Sequence, residues 1–254
     1  MTLLDVDRLV CGYGREIVVR DVSFSVGEGE RLCVLGPNGC GKTTLLRALA
    51  GLLPHRGTVT VRGGDTAKLP RRELARRVAL MSQLSPVYFS YTVYETVAMG
   101  RYAHRGGGLL DREGPEDRRL VRESLERTGM WPLRDRLVTE LSGGQLQRVF
   151  LARTFAQDPA VILMDEPTNH LDLKYQVELT EGLKTWSEQG DRCVVGVFHD
   201  VNLALSFAHR VLVMADGAVL ADGSVEKLDR GLLDRVYGLD VAGYMRENLR
   251  RWEE

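Results

Sequence analysis

One short stretch restricts the fold of this chain more than any other. Gly36-Pro37-Asn38-Gly39-Cys40-Gly41-Lys42-Thr43 matches the pattern G-x-x-x-x-G-K-[ST]. It follows the apolar run Leu32-Cys33-Val34-Leu35 and opens a segment, Lys42 to Leu53, of helical character. A strand, a glycine loop and a helix in that order set a helix N-terminus at the end of a buried strand. Glycines let backbone N–H groups of this loop turn inward around phosphate oxygens, and the helix end adds roughly half a positive charge. Lys42 is expected to neutralise β- and γ-phosphates, and the Thr43 hydroxyl to ligate Mg²⁺. Thr44 is expected at the α-phosphate.

A second constellation answers the first. Val161-Ile162-Leu163-Met164 is an apolar strand that ends in Asp165-Glu166. Alone it reads equally well as a strand with a polar cap. Beside a glycine loop, Asp165 is expected to hold Mg²⁺ through water. Glu166 is expected to act as the base on an attacking water, a role that typically contributes roughly 10²–10⁴-fold.

The chain around these motifs alternates between strand and helix patterns. Val22-Ser23-Phe24-Ser25-Val26 and Thr58-Val59-Thr60-Val61-Arg62 alternate as half-buried strands do, and Val78-Ala79-Leu80-Met81 reads as a buried one. Pro54 and Gly57 are expected to stop the first helix. Arg71 to Arg77 reads as a short basic helix with a solvated face. Helical patterns dominate from Gln83 to about Gln157, at Thr92–Met99, Glu116–Thr128 and Gly143–Ala156, with a glycine run at Gly106-Gly107-Gly108. Parallel-strand signals return at Val161–Met164 and Cys193–Phe198, and Asp216-Gly217 marks a hairpin. The tail from Ser224 is polar and mostly helical. Trp131 and Trp186 read as packing residues.

Composition excludes several classes. A net charge of -1 with 27% charged residues argues against wrapping nucleic acid. No apolar run approaches the about 18–20 residues that span a bilayer, so any membrane role needs a separate chain. Met1–Arg8 lacks a basic-then-apolar signal pattern, which gives a cytosolic expectation. Cys11, Cys33, Cys40 and Cys193 have no C-x-x-C spacing, against a disulfide framework or a zinc site. Cys33 and Cys193 read as small buried apolar groups. Cys40 is expected to gain acidity from the helix end and Lys42, and to be open to a maleimide that ATP excludes.

Leu141-Ser142-Gly143-Gly144-Gln145 carries a specific resemblance. Ser142 reads as the N-cap of the helix Gly143–Ala156, and its hydroxyl, two glycine amides and the helix dipole make a second anion site. The stretch resembles the signature of the ATP-binding-cassette (ABC) ATPases, and the likeness covers nearly the whole chain. It implies an α/β fold of P-loop NTPase type: a mainly parallel sheet, an N-terminal antiparallel β subdomain and an inserted helical subdomain. In numbers, residues 1–83 and 158–223 would form the catalytic core, 84–157 the helical signature subdomain and 224–254 a helical tail, all within one ABC domain over 1–254. It also implies a head-to-tail dimer in which Ser142, Gly143, Gly144 and Gln145 cover the γ-phosphate on the partner copy's glycine loop. Tyr13 lies where the family places an aromatic that stacks on adenine. Gln83 resembles the glutamine that senses Mg²⁺ and the attacking water. Asn169-His170-Leu171-Asp172 resembles the family's D-loop, which puts Asp172 at the dimer interface. His199 matches the switch histidine that holds the γ-phosphate.

The segment from Thr92 to His104 resembles the corresponding region of importers for ferric siderophores, haem and cobalamin, where it receives a permease's coupling helix. Thr168 to Gln176 resembles that group too, and Ala103 departs from the proline frequent there. The resemblance implies an ATPase of a metal-chelate importer at the cytoplasmic face of the membrane. Its partners would be ATP, Mg²⁺, a second copy of itself, a polytopic permease and, indirectly, an extracytoplasmic substrate-binding protein. Alternatives are an ATPase of another small-molecule importer and a soluble ABC ATPase. A P-loop kinase would leave Ser142–Gln145 without a role.

Overall fold

The computed structural model describes residues 1–82, 90–105, 113–168 and 172–250. The strands are β1 (Thr2–Tyr13), β2 (Glu16–Gly27), β3 (Arg31–Leu35), β4 (His55–Val61), β5 (Gly64–Asp65), β6 (Val78–Met81), β7 (Val161–Asp165), β8 (Cys193–Val197), β9 (Arg210–Ala215) and β10 (Ala218–Ser224). Four form an antiparallel sheet in the order β2-β1-β4-β5, and six form a second sheet in the order β10-β9-β3-β8-β7-β6. In the second sheet β3 and β6 to β9 run parallel, and only β10 is antiparallel.

The central strands are apolar without alternation because helices cover both faces. Alternate residues of one strand enter different cores. Val34, Leu163 and Val195 face a core shared with the antiparallel sheet and the first helix, α1 (Lys42–Leu49), through Leu45 and Leu46. Their neighbours Cys33, Ile162 and Val194 face the opposite core. After α2 (Arg71–Arg77), a helical unit of α3 (Val93–Ala98), α4 (Pro115–Arg127) and α5 (Gly143–Ala156) builds its own cluster around Val97, Leu125 and Val149. Next come α6 (Leu173–Ser187) and α7 (Val201–Phe207), then the tail helices α8 (Arg230–Tyr237) and α9 (Val241–Arg250), which bury Leu233 and Val241 in the second core.

Several local expectations hold. Asp216 and Gly217 take φ of 48° and 80°, the left-handed pair that a two-residue hairpin needs, between β9 and β10. The hairpin tip docks on the antiparallel sheet: the Arg20 N–H donates to Gly217 O at 2.7 Å. Trp186 is buried and stacks on Phe155, while Trp131 lies between the Arg122 and Arg134 guanidiniums.

Two expectations are corrected. The first helix stops at Leu49, short of Leu53, because Gly51 turns into a left-handed conformation (φ 68°) against Leu74 before Pro54 is reached. The basic helix α2 is not simply a solvated face. Arg72 Nε and Arg76 Nε donate to Ala103 O at 2.9 and 2.8 Å, and Arg77 Nη1 donates to Val61 O at 3.0 Å.

Segment Met99–His104, a 3₁₀ turn, is tied down by the buried Arg101, whose Nε donates to Asp117 Oδ1 at 2.8 Å and Nη1 to Ala156 O at 2.9 Å. Burial alone would raise the Asp117 carboxyl, but Arg101 and the Gly114 N–H hold it below its ordinary value. Arg101→Leu leaves that carboxylate only the Gly114 N–H at 3.3 Å and the more distant Arg105 at 3.9 Å, and is expected to cost about 3 kcal/mol in urea unfolding at pH 7. A depressed carboxyl stabilises above its ordinary value and loses that contribution as pH falls, so the difference should shrink below about pH 4. An unchanged midpoint at pH 7 would refute the structural role of the pair.

Candidate functional site

The register of the central sheet creates the site. Val34 pairs Val197, and Val197 pairs Asp165, so β3, β8 and β7 end on one line. Residues just beyond that line, Gly36, His199 and Glu166, therefore emerge at one edge, the carboxyl end of a parallel sheet, where α/β folds bind ligands.

The glycine loop fills the turn from β3 to α1. Gly36, Gly39 and Gly41 take φ of 151°, 81° and 104°. A Cβ on Gly36 would stand 2.1 Å from Met214 O, and one on Gly41 3.3 Å from Val18 O. No side-chain cap occupies the start of α1 among the described residues, so its first amides remain donors for an anion. Pro37 is half-buried, while Asn38 and Gly39 are exposed at the loop's crown. Lys42 is buried, and its ammonium donates to Gly36 O at 2.7 Å and Pro37 O at 2.8 Å. Carbonyl oxygens thus stabilise a cation that burial would otherwise penalise. Thr44 is also buried.

Two side-chain pairs complete the edge. The Thr43 hydroxyl donates to Asp165 Oδ1 at 3.0 Å, joining α1 to β7. Burial pushes the Asp165 carboxyl above its ordinary value, the Glu166 charge adds to that, and the Thr43 hydrogen bond opposes it. Glu166 turns sharply (φ 55°), and its N–H donates to Val197 O at 3.0 Å. That turn brings Glu166 Oε1 to 2.6 Å from His199 Nε2. A carboxylate and an imidazole in contact can pass and hold a proton. Two hard oxygen donors, Thr43 Oγ1 and Asp165 Oδ1, are the kind of ligands Mg²⁺ takes.

Other sequence-derived candidates stand apart. Ser142 and Gly143 are exposed, and Gly144 and Gln145 are half-buried. Ser142 caps α5 in a reciprocal box: the Gln145 N–H donates to Ser142 Oγ at 3.3 Å, and the Ser142 N–H to Gln145 Oε1 at 3.0 Å. Asp172 is exposed and caps α6, accepting from the Tyr175 N–H at 3.0 Å. Tyr13 is half exposed, and its hydroxyl accepts from Arg47 Nη1 of α1 at 3.1 Å. Gln83 and Asn169-His170-Leu171 lie outside the described residues.

Cys40 requires a correction. It is buried at 5% exposure. Lys42 does favour its thiolate, but desolvation outweighs that and moves the thiol above its ordinary value. Sequence reasoning also passed over two polar groups. Gln147 is buried in α5, and its side-chain amide donates to Pro167 O, directly after Glu166. A glutamine between the buried faces of a helix is a visible signal, and it was available. Tyr237 reaches Gly36 from 201 positions away, which no local pattern announces.

Comparisons with known proteins give the family and the fold. The family model described as "ABC transporter" matches residues 19–169. The chain is similar to the iron(3+)-hydroxamate import ATP-binding protein FhuC of Bacillus subtilis, with 34% identity over 95% of this chain and 90% of that protein. It is 36% identical to the ferric enterobactin transport ATP-binding protein FepC of Escherichia coli, over 92% of this chain and 86% of the other. Among solved structures, an inward-facing ABC transporter classed as metal-chelate type superposes with a TM-score of 0.80 at 27% identity, over 94% of this chain and 90% of that one. The ADP conformation of the cassette MJ1267 gives 0.78 at 25% identity, over 88% and 91%.

Two measurements check the electrostatics. A carboxyl raised by burial destabilises the fold while ionised, so its cost appears as pH rises through the raised value. Asp165→Asn should therefore raise the melting temperature at pH 7 and leave it nearly unchanged near pH 3. Equal melting temperatures at both values would count against that burial cost. For Cys40, maleimide should react at neutral pH far more slowly than with an exposed thiol, with or without nucleotide. Labelling at the rate of a free thiol would contradict its burial.

Proposed function

This chain belongs to the ABC transporter family, and we propose that it is the ATPase that powers uptake of a metal chelate through a separate membrane permease. Its ATPase character follows from the family. The chelate class rests on the similarity, over nearly the whole chain, to ATP-binding proteins of iron(3+)-hydroxamate and ferric enterobactin transport. Cobalamin import has narrower support: the cobalamin import ATP-binding protein BtuD of Halobacterium salinarum is 40% identical over 85% of this chain but only 54% of that protein. No described helix is long and apolar enough to cross a membrane. A separate polytopic permease and attachment at the cytoplasmic face fit that observation.

The chemistry assigned to the site is hydrolysis of the γ-phosphoanhydride. The loop 36–41 and the first amides of α1 bind the phosphates, with Tyr13 against the base and Thr44 toward the α-phosphate. Lys42 neutralises the β- and γ-phosphates. Mg²⁺, when bound, neutralises charge that develops on the phosphate oxygens; Thr43 and Asp165 are the residues that would hold it, and Gln83 is proposed beside them. Glu166 orients the attacking water and takes its proton as the water oxygen bonds to the γ-phosphorus. The bond to the bridging oxygen breaks, and ADP leaves. His199 is assigned to the γ-phosphate: its Nε2, 2.6 Å from Glu166 Oε1 here, exchanges the carboxylate for a phosphate oxygen when ATP binds.

Ser142, Gly143, Gly144 and Gln145 act in trans, on the phosphate held by a second copy. Exposure of Ser142 and Gly143 at the open end of α5 supports this. Asp172, exposed at the start of α6, belongs to the same interface. The permease is assigned to the segment Thr92–His104, which presents Tyr102 at 80% and Met99 at 42% exposure on a turn that Arg101 fastens from beneath. A substrate-binding protein on the far side of the membrane would deliver the chelate.

Glu166→Gln tests the shared site and the partner together. ATPase activity should fall by roughly 10²–10⁴-fold, and ATP should convert the variant to a stable dimer in light scattering. Purified from its native membranes with ATP, the variant should bring a polytopic permease in stoichiometric amount. A variant that stays monomeric with ATP would sink the trans model. A soluble dimer without a permease would move the chain to the non-transport ABC ATPases.

A further inference from the structure

The tail helices touch the nucleotide site at one atom that the hydrolytic chemistry does not use. The Gly36 N–H donates to the Tyr237 hydroxyl at 3.1 Å. Tyr237 ends α8 and is half-buried, followed by Gly238 in a left-handed cap (φ 68°). Gly36 is itself pinned: a Cβ there would stand 2.1 Å from Met214 O and 2.9 Å from Cys40 Sγ. Its carbonyl accepts the Lys42 ammonium at 2.7 Å. One glycine therefore carries the tail on its nitrogen and the phosphate-binding lysine on its oxygen. Desolvation keeps the phenol protonated above its ordinary value, so it meets the buried amide as a neutral acceptor.

The same tail braces a second part of the site. Asn202 Nδ2 of α7 lies 3.0 Å from Met245 Sδ of α9. Val201, Leu233 and Val241 share one buried cluster, and α7 begins directly after His199 and its capping residue Asp200. The tail thus spans the glycine loop and the helix that follows the switch histidine.

We propose that Tyr237 is a positioning residue for the glycine loop: its hydroxyl holds Gly36 in the shape that takes ATP, and bound ATP in turn holds the tail helices down. The proposal rests on the reading that residues 36–43 bind ATP. Removing the hydroxyl leaves the Gly36 amide without its partner and loosens the carbonyl that steers Lys42. Affinity suffers, and the chemical step does not, because the hydroxyl acts on the phosphate-binding loop through the Gly36 amide. Binding linkage is reciprocal, so a partner that lifts the tail would weaken ATP binding by the same factor by which ATP opposes lifting.

The test uses Tyr237→Phe in the full chain, which keeps the ring and deletes one oxygen. Equilibrium binding of a fluorescent methylanthraniloyl-ATP should weaken about three- to tenfold, the span of one hydrogen bond. Turnover at saturating ATP should stay within about twofold of the parent. Hydrogen exchange at the end of α8 should slow on ATP addition in the parent chain and much less in the variant. Parent and variant binding equally well would overturn the proposal, even if the variant melts earlier, because the tail would then be packing alone. A fall in turnover with unchanged affinity would overturn it too. A parent chain that binds no nucleotide would instead remove the reading on which it rests.

Discussion

The glycine loop is held in place from outside itself, and most of the molecule is arranged to do so. Gly36 fits against Met214 O of β9, and Gly41 against Val18 of β2. The Gly217 N–H at the hairpin tip donates to Cys40 O at 3.1 Å, and Tyr237 takes the Gly36 N–H. These neighbours come from the antiparallel sheet, the parallel sheet, its terminal hairpin and the tail. Left-handed and extended glycine conformations are entropically costly, and they persist where the surroundings over-determine them. A loop that must leave amides open to an anion can satisfy few of them internally; the Cys40 N–H, which donates to Pro37 O at 3.4 Å, is one that is. Its shape therefore has to come from the scaffold.

The same edge concentrates the electrostatic cost of the fold. Lys42 and Asp165 are both buried, and among the described residues neither forms an ion pair: carbonyls take one and a threonine hydroxyl takes the other. Dipoles stabilise a buried charge less than an opposite charge does. The residual field is what a polyphosphate and its cation complete on binding. Glu166 adds local strain, since a non-glycine residue at φ 55° is disfavoured by roughly 1–3 kcal/mol. Its N–H bond to Val197 O fixes that turn and sets the carboxylate against His199. Stability given up here is recovered in the two apolar cores on either side of the parallel sheet.

What could be read in advance follows how local the cause is. The parallel strands were legible because burial on both faces removes alternation, and Leu32–Leu35 and Val161–Met164 show that directly. The hairpin at Asp216-Gly217 and the N-cap at Ser142 were legible because turn and cap chemistry act over four residues or fewer. The end of α1 was misplaced because Gly51 yields to Leu74, a residue of the next helix. The arginines of α2 looked like a solvated face, since their acceptor, Ala103 O, belongs to a distant turn. Cys40 was misjudged for a related reason. The charge of Lys42 two residues away is visible in sequence, whereas the depth of burial that outweighs it is a property of the packed loop. Thr43 and Glu166 were expected from the glycine-loop and apolar-strand motifs and His199 from the family resemblance, but only the strand register explains why Glu166 and His199 touch.

Helix α5 joins its exposed start at Ser142 to the buried interior. Its residues Val149, Ala152 and Ala156 belong to the helical unit's own cluster, and Leu151 and Phe155 belong to the core beneath the parallel sheet. A helix buried on two sides is apolar on both, which is why α5 lacks a single stripe. Close-packed surfaces transmit displacement, so a shift at Ser142 is felt in both cores. Gln147 adds a direct link, because its amide holds Pro167 O, one residue past Glu166. Further along, the Gln157 side-chain amide holds Ala75 O and Val78 O at 2.6 and 2.8 Å, and His104 Nε2 lies 2.9 Å from Gln157 O. The segment assigned to the permease, the signature helix and the carboxyl end of β7 are therefore connected through one helix. The exposed turn at Met99–His104 is thus joined by packed and hydrogen-bonded contacts to Pro167, the residue after Glu166.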